Sequence, residues 1–232
     1  MSLRINTIVS KLPKILLVLL LVFITGCLIK VAIWEHFYYT GIEGTERKPV
    51  EEVNVDAPEA REVDETEVTA EQVSAHVVAA DKPRYLSIDK LNLKNARIRE
   101  VGLTKAGALA TIANIFDVGW YRASAKPGKG GTLLMDGHNG GPTKSGVFKK
   151  LNTLEIGDVI TVERGDGQLF YYSVVENQDM PVEKANQYMA TMQTSPVSGQ
   201  ESLSLITCTG EWSQSQRTYL SRTMLRAVLI ED

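Results

Sequence analysis

A mainly β fold, a closed barrel with a few short helices, is predicted for residues 81–232, preceded by one transmembrane helix and a disordered stalk. Three observations predict it. An uncharged apolar run, "ILLVLLLVFITGCLI", follows the basic residues Arg4, Lys11 and Lys14. An acidic stretch without aromatic residues comes next. The remaining chain then reads as short β runs separated by glycine-rich turns. With 232 residues, 44% of them hydrophobic, and a net charge of -3, the chain is long enough for one domain plus appendages. It lacks the basic excess that nucleic-acid binding requires.

The apolar run continues through "VAIW" to Trp34, interrupted only by Lys30, which lies near one end and can snorkel to the interface. From Ile15 to Trp34, at ~1.5 Å per residue, the helix spans about 30 Å, the thickness of a hydrocarbon core. Basic residues lie mainly before it and Glu35 follows it, so residues 1–14 are expected in the cytoplasm and everything after Trp34 outside. Two other readings exist. A cleaved signal peptide lacks a clear small-x-small site here, and a lipobox at "ITGC", with Cys27 lipidated, is opposed by the apolar residues that continue past Cys27. All three readings export the rest of the chain.

Residues 35–80 read as a linker. From Glu43 to Ala80 there are 11 acidic and 3 basic residues, a composition that buries too little apolar surface to offset its ordering entropy. A short helix around "DETEVTAEQVSAHVVAA" is compatible with it, and His76 within it has no evident chemistry. In the domain that follows, the β runs are "RYLSI", "ARIREVG", "GTLLMDGH", "VITVE", "FYYSVVE", "SLSLITC" and "TMLRAVLI". "PGKGG", "GHNGG" and "RGDGQ" mark turns between several of them. "SGVFKKLNTL" and "KANQYMATM" are the helical candidates. Many short strands with few helices favour a closed barrel.

Cys208 ends the run "SLSLITC", and the chain has only one other cysteine, Cys27. With Cys27 in the bilayer or lipidated, Cys208 has no disulfide partner in its own chain, so it is a core filler, an intermolecular link or a reactive thiol. Of the histidines at 36, 76 and 138, only His138 lies in the barrel domain, flanked by glycines at a strand end. Zinc would need three or four ligands, and beyond Cys208, His138 and a carboxylate at Asp136 the domain offers no further cysteine or histidine. Nucleophilic catalysis needs less: a thiolate, an imidazole and an oxyanion donor. The donor is available in the last strand, where Arg222, Met224 and Arg226 share one face, or in the preceding loop at Arg217.

These segments together resemble the sortase family. "RYLSIDKLNLKNARI" is similar to the family's opening strand, "GWYRASAKPGKGGTLLMDGHNGG" to the stretch ending in its Gly-His, and "FKKLNTLEIGDVITV" to its "L..L..GD" segment. "SLITC" is similar to "TLxTC", with Ser204 in place of the first threonine. The resemblance covers nearly all of Arg84 to Ile230. It implies His138, Cys208 and Arg222 as the catalytic trio, with Arg222 preferred because the family arginine opens the final strand. Asp136 stands where the family often has a small residue, and "TGEWSQSQRTYL" is an unusual loop between cysteine and arginine.

The resemblance further implies a membrane-anchored, single-pass enzyme with an extracellular catalytic domain. It would cut an LPxTG-like sorting signal of surface proteins through a thioester on Cys208 and pass the product to an amine of a cell-wall peptide or a pilin. Thr207 is expected to bind substrate or support the nucleophile. No cofactor is expected, with calcium left open. A hydrolase of the same signals and a non-catalytic extracellular peptide-binding barrel are the alternatives.

Overall fold

Residues 63–230 are described by the computed structural model, and their eight strands close into a barrel. The strands are β1 (Pro83–Ile88), β2 (Leu93–Val101), β3 (Val118–Tyr121), β4 (Thr132–Gly137), β5 (Val159–Arg164), β6 (Leu169–Pro181), β7 (Ser202–Ser213) and β8 (Thr218–Leu229). Two helices accompany them, α1 (Ala70–Ser74) and α2 (Val182–Met192). The expected cytoplasmic segment 1–14, the anchor 15–34 with Cys27, and stalk residues 35–62 lie outside the described residues. Among the described residues no helix is long and apolar enough to cross a membrane.

Around the barrel the order is β1-β2-β3-β4-β7-β8-β6-β5, with β5 pairing back to β1. All neighbours are antiparallel except β2 with β3 and β4 with β7. In β4, β7 and β8 the period-2 alternation sorts residues between two cores. Leu133 and Met135 of β4, Leu203 and Leu205 of β7, and Leu225 and Ala227 of β8 fill the barrel interior with Trp120, Tyr172 and Phe148. The intervening Leu134, Ile206 and Met224 face outward into a second cluster. There they meet Ala185, Met189 and Met192, which lie three and four residues apart on one face of α2.

Most β runs read from the sequence form strands, and "KANQYMATM" lies within α2. Three segments differ. "SGVFKKLNTL" has helical apolar spacing but forms turns and a 3-10 helix at Leu151–Thr153, because Val147 N–H bonds Ile115 O (2.8 Å) and Phe148 N–H bonds His138 O (3.0 Å). Phe148, Leu151 and Leu154 join the interior core. "VGWY" is a strand that alternation cannot reveal, since all four residues are buried. The loop "TGEWSQSQRTYL" largely continues β7 and β8 as a hairpin, with a register shift between Thr209 and Trp212 and an edge-on contact of Trp212 with Tyr219.

The sequence places the domain boundary at residue 81 and reads residues 35–80 as disordered, whereas residues 63–80 are laid against the barrel. Thr69 and Gln72 form a reciprocal capping box that starts α1. The Tyr85 hydroxyl donates to Val73 O, Arg84 Nε donates to His76 O (2.8 Å), and His76 Nε2 bonds Ile98 O (3.0 Å). Asp64 N–H bonds Ala113 O (2.9 Å) and Ile115 N–H bonds Asp64 O (3.0 Å). These are polar, mostly main-chain contacts, so a segment poor in apolar residues can still be fixed. A chain beginning at residue 63 should therefore be more stable than one beginning at residue 81. Several such bonds at a net ~1 kcal/mol each predict a difference on the order of 2–4 kcal/mol. Urea unfolding of the two chains measures it, and coincident midpoints would mean that the segment adds nothing.

Candidate active site

The parallel pairing of β4 with β7 sets the site. Asp136 lies opposite Ile206, and two residues further along both chains come His138 and Cys208, at the same end of the barrel. The two chains stay together there: Thr207 Oγ1 donates to Gly137 O (2.8 Å), and Asn139 Nδ2 donates to Cys208 O (2.5 Å). On the other side of β7 the antiparallel register puts Arg222 of β8 opposite Cys208. Neighbouring strands are ~4.8 Å apart, so Cys208 has His138 on one flank and Arg222 on the other. By alternation with Leu134, Ile206 and Met224, the three side chains belong to the outer face, beside the second core cluster rather than inside the barrel.

Each side chain is held. His138 Nε2 lies 2.6 Å from Ile112 O. A carbonyl only accepts, so Nε2 carries the proton and Nδ1 keeps the lone pair of the neutral ring. Burial lowers the His138 pKa, against a smaller rise from the Ile112 bond. Cys208 is a free thiol; burial pushes it up, the Arg222 guanidinium pulls it down, and the Asp136 carboxylate raises it. Arg222 is 3% exposed, with Nη1 donating to Tyr219 O (2.8 Å) and Ser221 O (2.9 Å) and Nη2 to Thr218 Oγ1 (3.4 Å). Burial thus disfavours both thiolate and imidazolium, and the neutral pair is the resting form.

The structure separates the three candidate arginines. Arg217 is exposed in the hairpin turn at φ 52. Arg226 lies four residues beyond Arg222 and pairs with Glu176 (2.9 Å) and Thr194 O (3.0 Å). Arg222 alone of the three stands opposite Cys208. Thr207, expected to bind substrate or to support the nucleophile, is 3% exposed with its hydroxyl committed to Gly137. That bond ties the Cys208 strand to the residue before His138.

Asp136 is the residue whose importance the sequence understated. It shares the outer face with His138 and Cys208, and its Oδ1 is enclosed without a hydrogen-bond partner. It leans over Gly119 of β3, where any Cβ would collide with Oδ1. Desolvation raises its pKa from 3.8 to about 7. Its place directly before Gly-His, where the resembling family often has a small residue, was the available signal. Among the described residues no group of three or more histidine, cysteine, aspartate or glutamate side chains is arranged to hold a metal ion.

Residues 86–230 match the model of the sortase domain, and the chain belongs to the sortase family. Sortases are cysteine transpeptidases, the general activity that this membership carries. Among solved structures the chain is similar to sortase C1 of Streptococcus agalactiae, at 18% identity over 68% of this chain and 73% of that one, with a TM-score of 0.47. It is similar to a lid mutant of sortase A from Corynebacterium diphtheriae, at 20% identity over 70% and 77%, TM-score 0.49. It is also similar to the sortase D5 transpeptidase of Clostridium perfringens, at 19% identity over 69% and 86%, TM-score 0.45. No curated protein matches the chain.

The electrostatics predict two pH effects. The folded-state pKa of Asp136 lies above its unfolded value, so its stabilising contribution is fully present below pH 3.8 and is lost as the pH rises to about 7. His138 has the opposite sign, since its lowered pKa makes acid the destabilising direction below its usual value of 6.5. Asp136→Asn should remove the first contribution alone, which is at most about 4 kcal/mol for a shift of roughly three pH units. Urea unfolding from pH 4 to pH 8 should show a flatter loss of stability toward alkaline pH than in the parent. The same variant should alkylate at Cys208 at lower pH, and Arg222→Ala at higher pH; iodoacetamide rates against pH measure both.

Proposed function

We propose that the protein is a membrane-anchored cysteine transpeptidase that cuts an LPxTG-like C-terminal sorting signal of surface proteins after threonine. The observation that best supports this is the register placing Cys208 between His138 and Arg222 at one end of the barrel. In the proposed reaction the Cys208 thiolate attacks the threonine carbonyl, and Arg222 stabilises the oxyanion. As the tetrahedral species collapses the C–N bond breaks, and His138 gives its Nδ1 proton to the departing amine. A thioester remains. An incoming amine, from a cell-wall peptide or a pilin lysine, attacks it while the same nitrogen takes up a proton, and the thiolate leaves. Thr207 supports this indirectly, by fixing the strand end that carries Cys208 to Gly137.

The resting neutral pair has a consequence for rate. The thiolate–imidazolium form is the minor species, because burial opposes both charges. The Arg222 charge beside Cys208 favours that form and also faces the developing oxyanion. Arg222→Ala should therefore lower kcat about 10²–10³-fold, as removal of an oxyanion donor does elsewhere. Cys208→Ala should abolish cleavage and transfer with the fold intact, because it removes only the sulfur atom and leaves a small cavity. Arg217→Ala is the control and should retain parental activity. Intact mass after incubation with a sorting-signal peptide tests the scheme: an acyl adduct on the parent, most abundant without added amine, and none on Cys208→Ala. Transfer by Cys208→Ala would overturn it.

The proposed topology places residues after Trp34 outside the cell, on the basic flank and apolar length of residues 1–34. Protease added to intact, wall-stripped cells should remove the barrel. Protection of the barrel before lysis and digestion after it would reverse the orientation.

A further inference from the structure

The loop that leaves His138, residues 139–146, contains Gly140, Gly141 and Gly146 and so has wide intrinsic freedom. Its own bonds fold it back on itself: Gly141 N–H to Lys144 O (2.9 Å) and Gly146 N–H to Asn139 O (2.8 Å). The bonds that fix it to another part of the chain at its tip come from the N-terminal segment. The Glu65 carboxylate accepts from Thr143 N–H (2.8 Å), Lys144 N–H (2.8 Å) and Thr143 Oγ1 (2.5 Å). Lys144 pairs with Glu67 (3.0 Å), and a side chain at position 141 would collide with Glu65. The bonds from Thr143 and Lys144 lower the Glu65 pKa, so the clamp is a carboxylate at neutral pH.

The adjacent residue holds the other flank of His138. Asp64 bonds Ala113 O and Ile115 N–H through its backbone, and its Oδ2 accepts from Asn114 Nδ2 (3.0 Å). Ile112, one residue before, supplies the carbonyl that receives His138 Nε2–H. Two consecutive residues, 64 and 65, thus grip both the segment that orients the imidazole and the loop that follows it. The loop also reaches the nucleophile strand through Asn139 Nδ2 on Cys208 O.

We propose that Glu65 is a positioning residue for His138: by clamping residues 143–144 it holds the imidazole against Ile112 and beside Cys208. The segment that joins the barrel to the first 62 residues then sets the activity of the site without touching substrate. This rests on the reading of His138 as the acid–base group.

The test uses the full chain with Glu65→Ala, Glu65→Gln and Thr143→Val. Peptide cleavage gives kcat and KM, and NMR titration of the three histidines gives the His138 midpoint. Glu65→Ala should lower kcat roughly 10- to 100-fold, as a misplacement of about 1 Å does, with KM within about twofold. The His138 midpoint should rise toward the ordinary imidazole value as the loop admits water, while that of His76 stays put. Glu65→Gln, which keeps one acceptor oxygen, should fall between parent and Glu65→Ala, and Thr143→Val should lose least. Parental kcat and His138 midpoint in Glu65→Ala would overturn the proposal. So would a joint shift of His76 and His138, which would mean that the whole N-terminal segment had loosened. A parent that cleaves no sorting-signal peptide would count against the proposed reaction, while the histidine titration would still decide whether Glu65 positions His138.

Discussion

The parallel pairing of β4 with β7 is the constraint on which the site depends. Parallel strands end on the same side, so the residues just past the two strands' shared register, His138 and Cys208, arrive together although 70 positions separate them in the chain. An antiparallel partner would have carried Cys208 to the far end of the barrel. The antiparallel β7–β8 hairpin adds Arg222 at a cost of only a short excursion, through a turn at residues 214–217. The three positions therefore meet at one end of the barrel before any loop contact is added. Backbone register brings their positions together, and the Thr207–Gly137 and Asn139–Cys208 bonds lock that register just past the paired residues.

The position of the site on the outside of the barrel follows from packing. An eight-stranded barrel has room inside only for its own side chains, and here Trp120, Phe148, Tyr172 and the leucines of β4, β7 and β8 occupy it. Residues of the opposite alternation are left for chemistry. The connection between β2 and β3 shields them from solvent, with Ile112 O bonded to His138 and Leu109 and Ile112 packed in the outer cluster, while α2 covers Leu134, Ile206 and Met224. That shielding is what raises Cys208, lowers His138 and raises Asp136.

The parts of the fold that were legible in the sequence are those governed by period-2 alternation. "SLSLITC" reveals β7 because Ser202 and Ser204 alternate with Leu203 and Leu205, which fill the interior, and "TMLRAVLI" reveals β8 as an apolar run of strand length. Cys208 and His138 were legible by scarcity, as the one cysteine and one histidine of the domain. What was not legible has polar or wholly buried causes. "VGWY" shows no alternation because both faces are covered. "SGVFKKLNTL" mimics a helix because Phe148, Leu151 and Leu154, three residues apart, all enter the interior core through turns and a 3-10 helix. Residues 63–80 lack an apolar pattern because main-chain and carboxylate hydrogen bonds hold them. The T-x-x-Q of Thr69 and Gln72 was the one local signal there.

Asp136 sets the charge balance at the thiol. A carboxylate with an enclosed, unpartnered oxygen is an unfavourable thing to bury, and a strand glycine, Gly119, is needed to make room for it. Its charge also raises the Cys208 pKa, which opposes formation of the thiolate. Ionised, it works against Arg222; protonated, it leaves the arginine's field at the thiol unopposed. Because desolvation brings its pKa to about 7, the two situations exchange near neutrality. The thiol thus sits between one fixed positive charge, anchored to Tyr219, Ser221 and Thr218, and one negative charge that its surroundings can switch off.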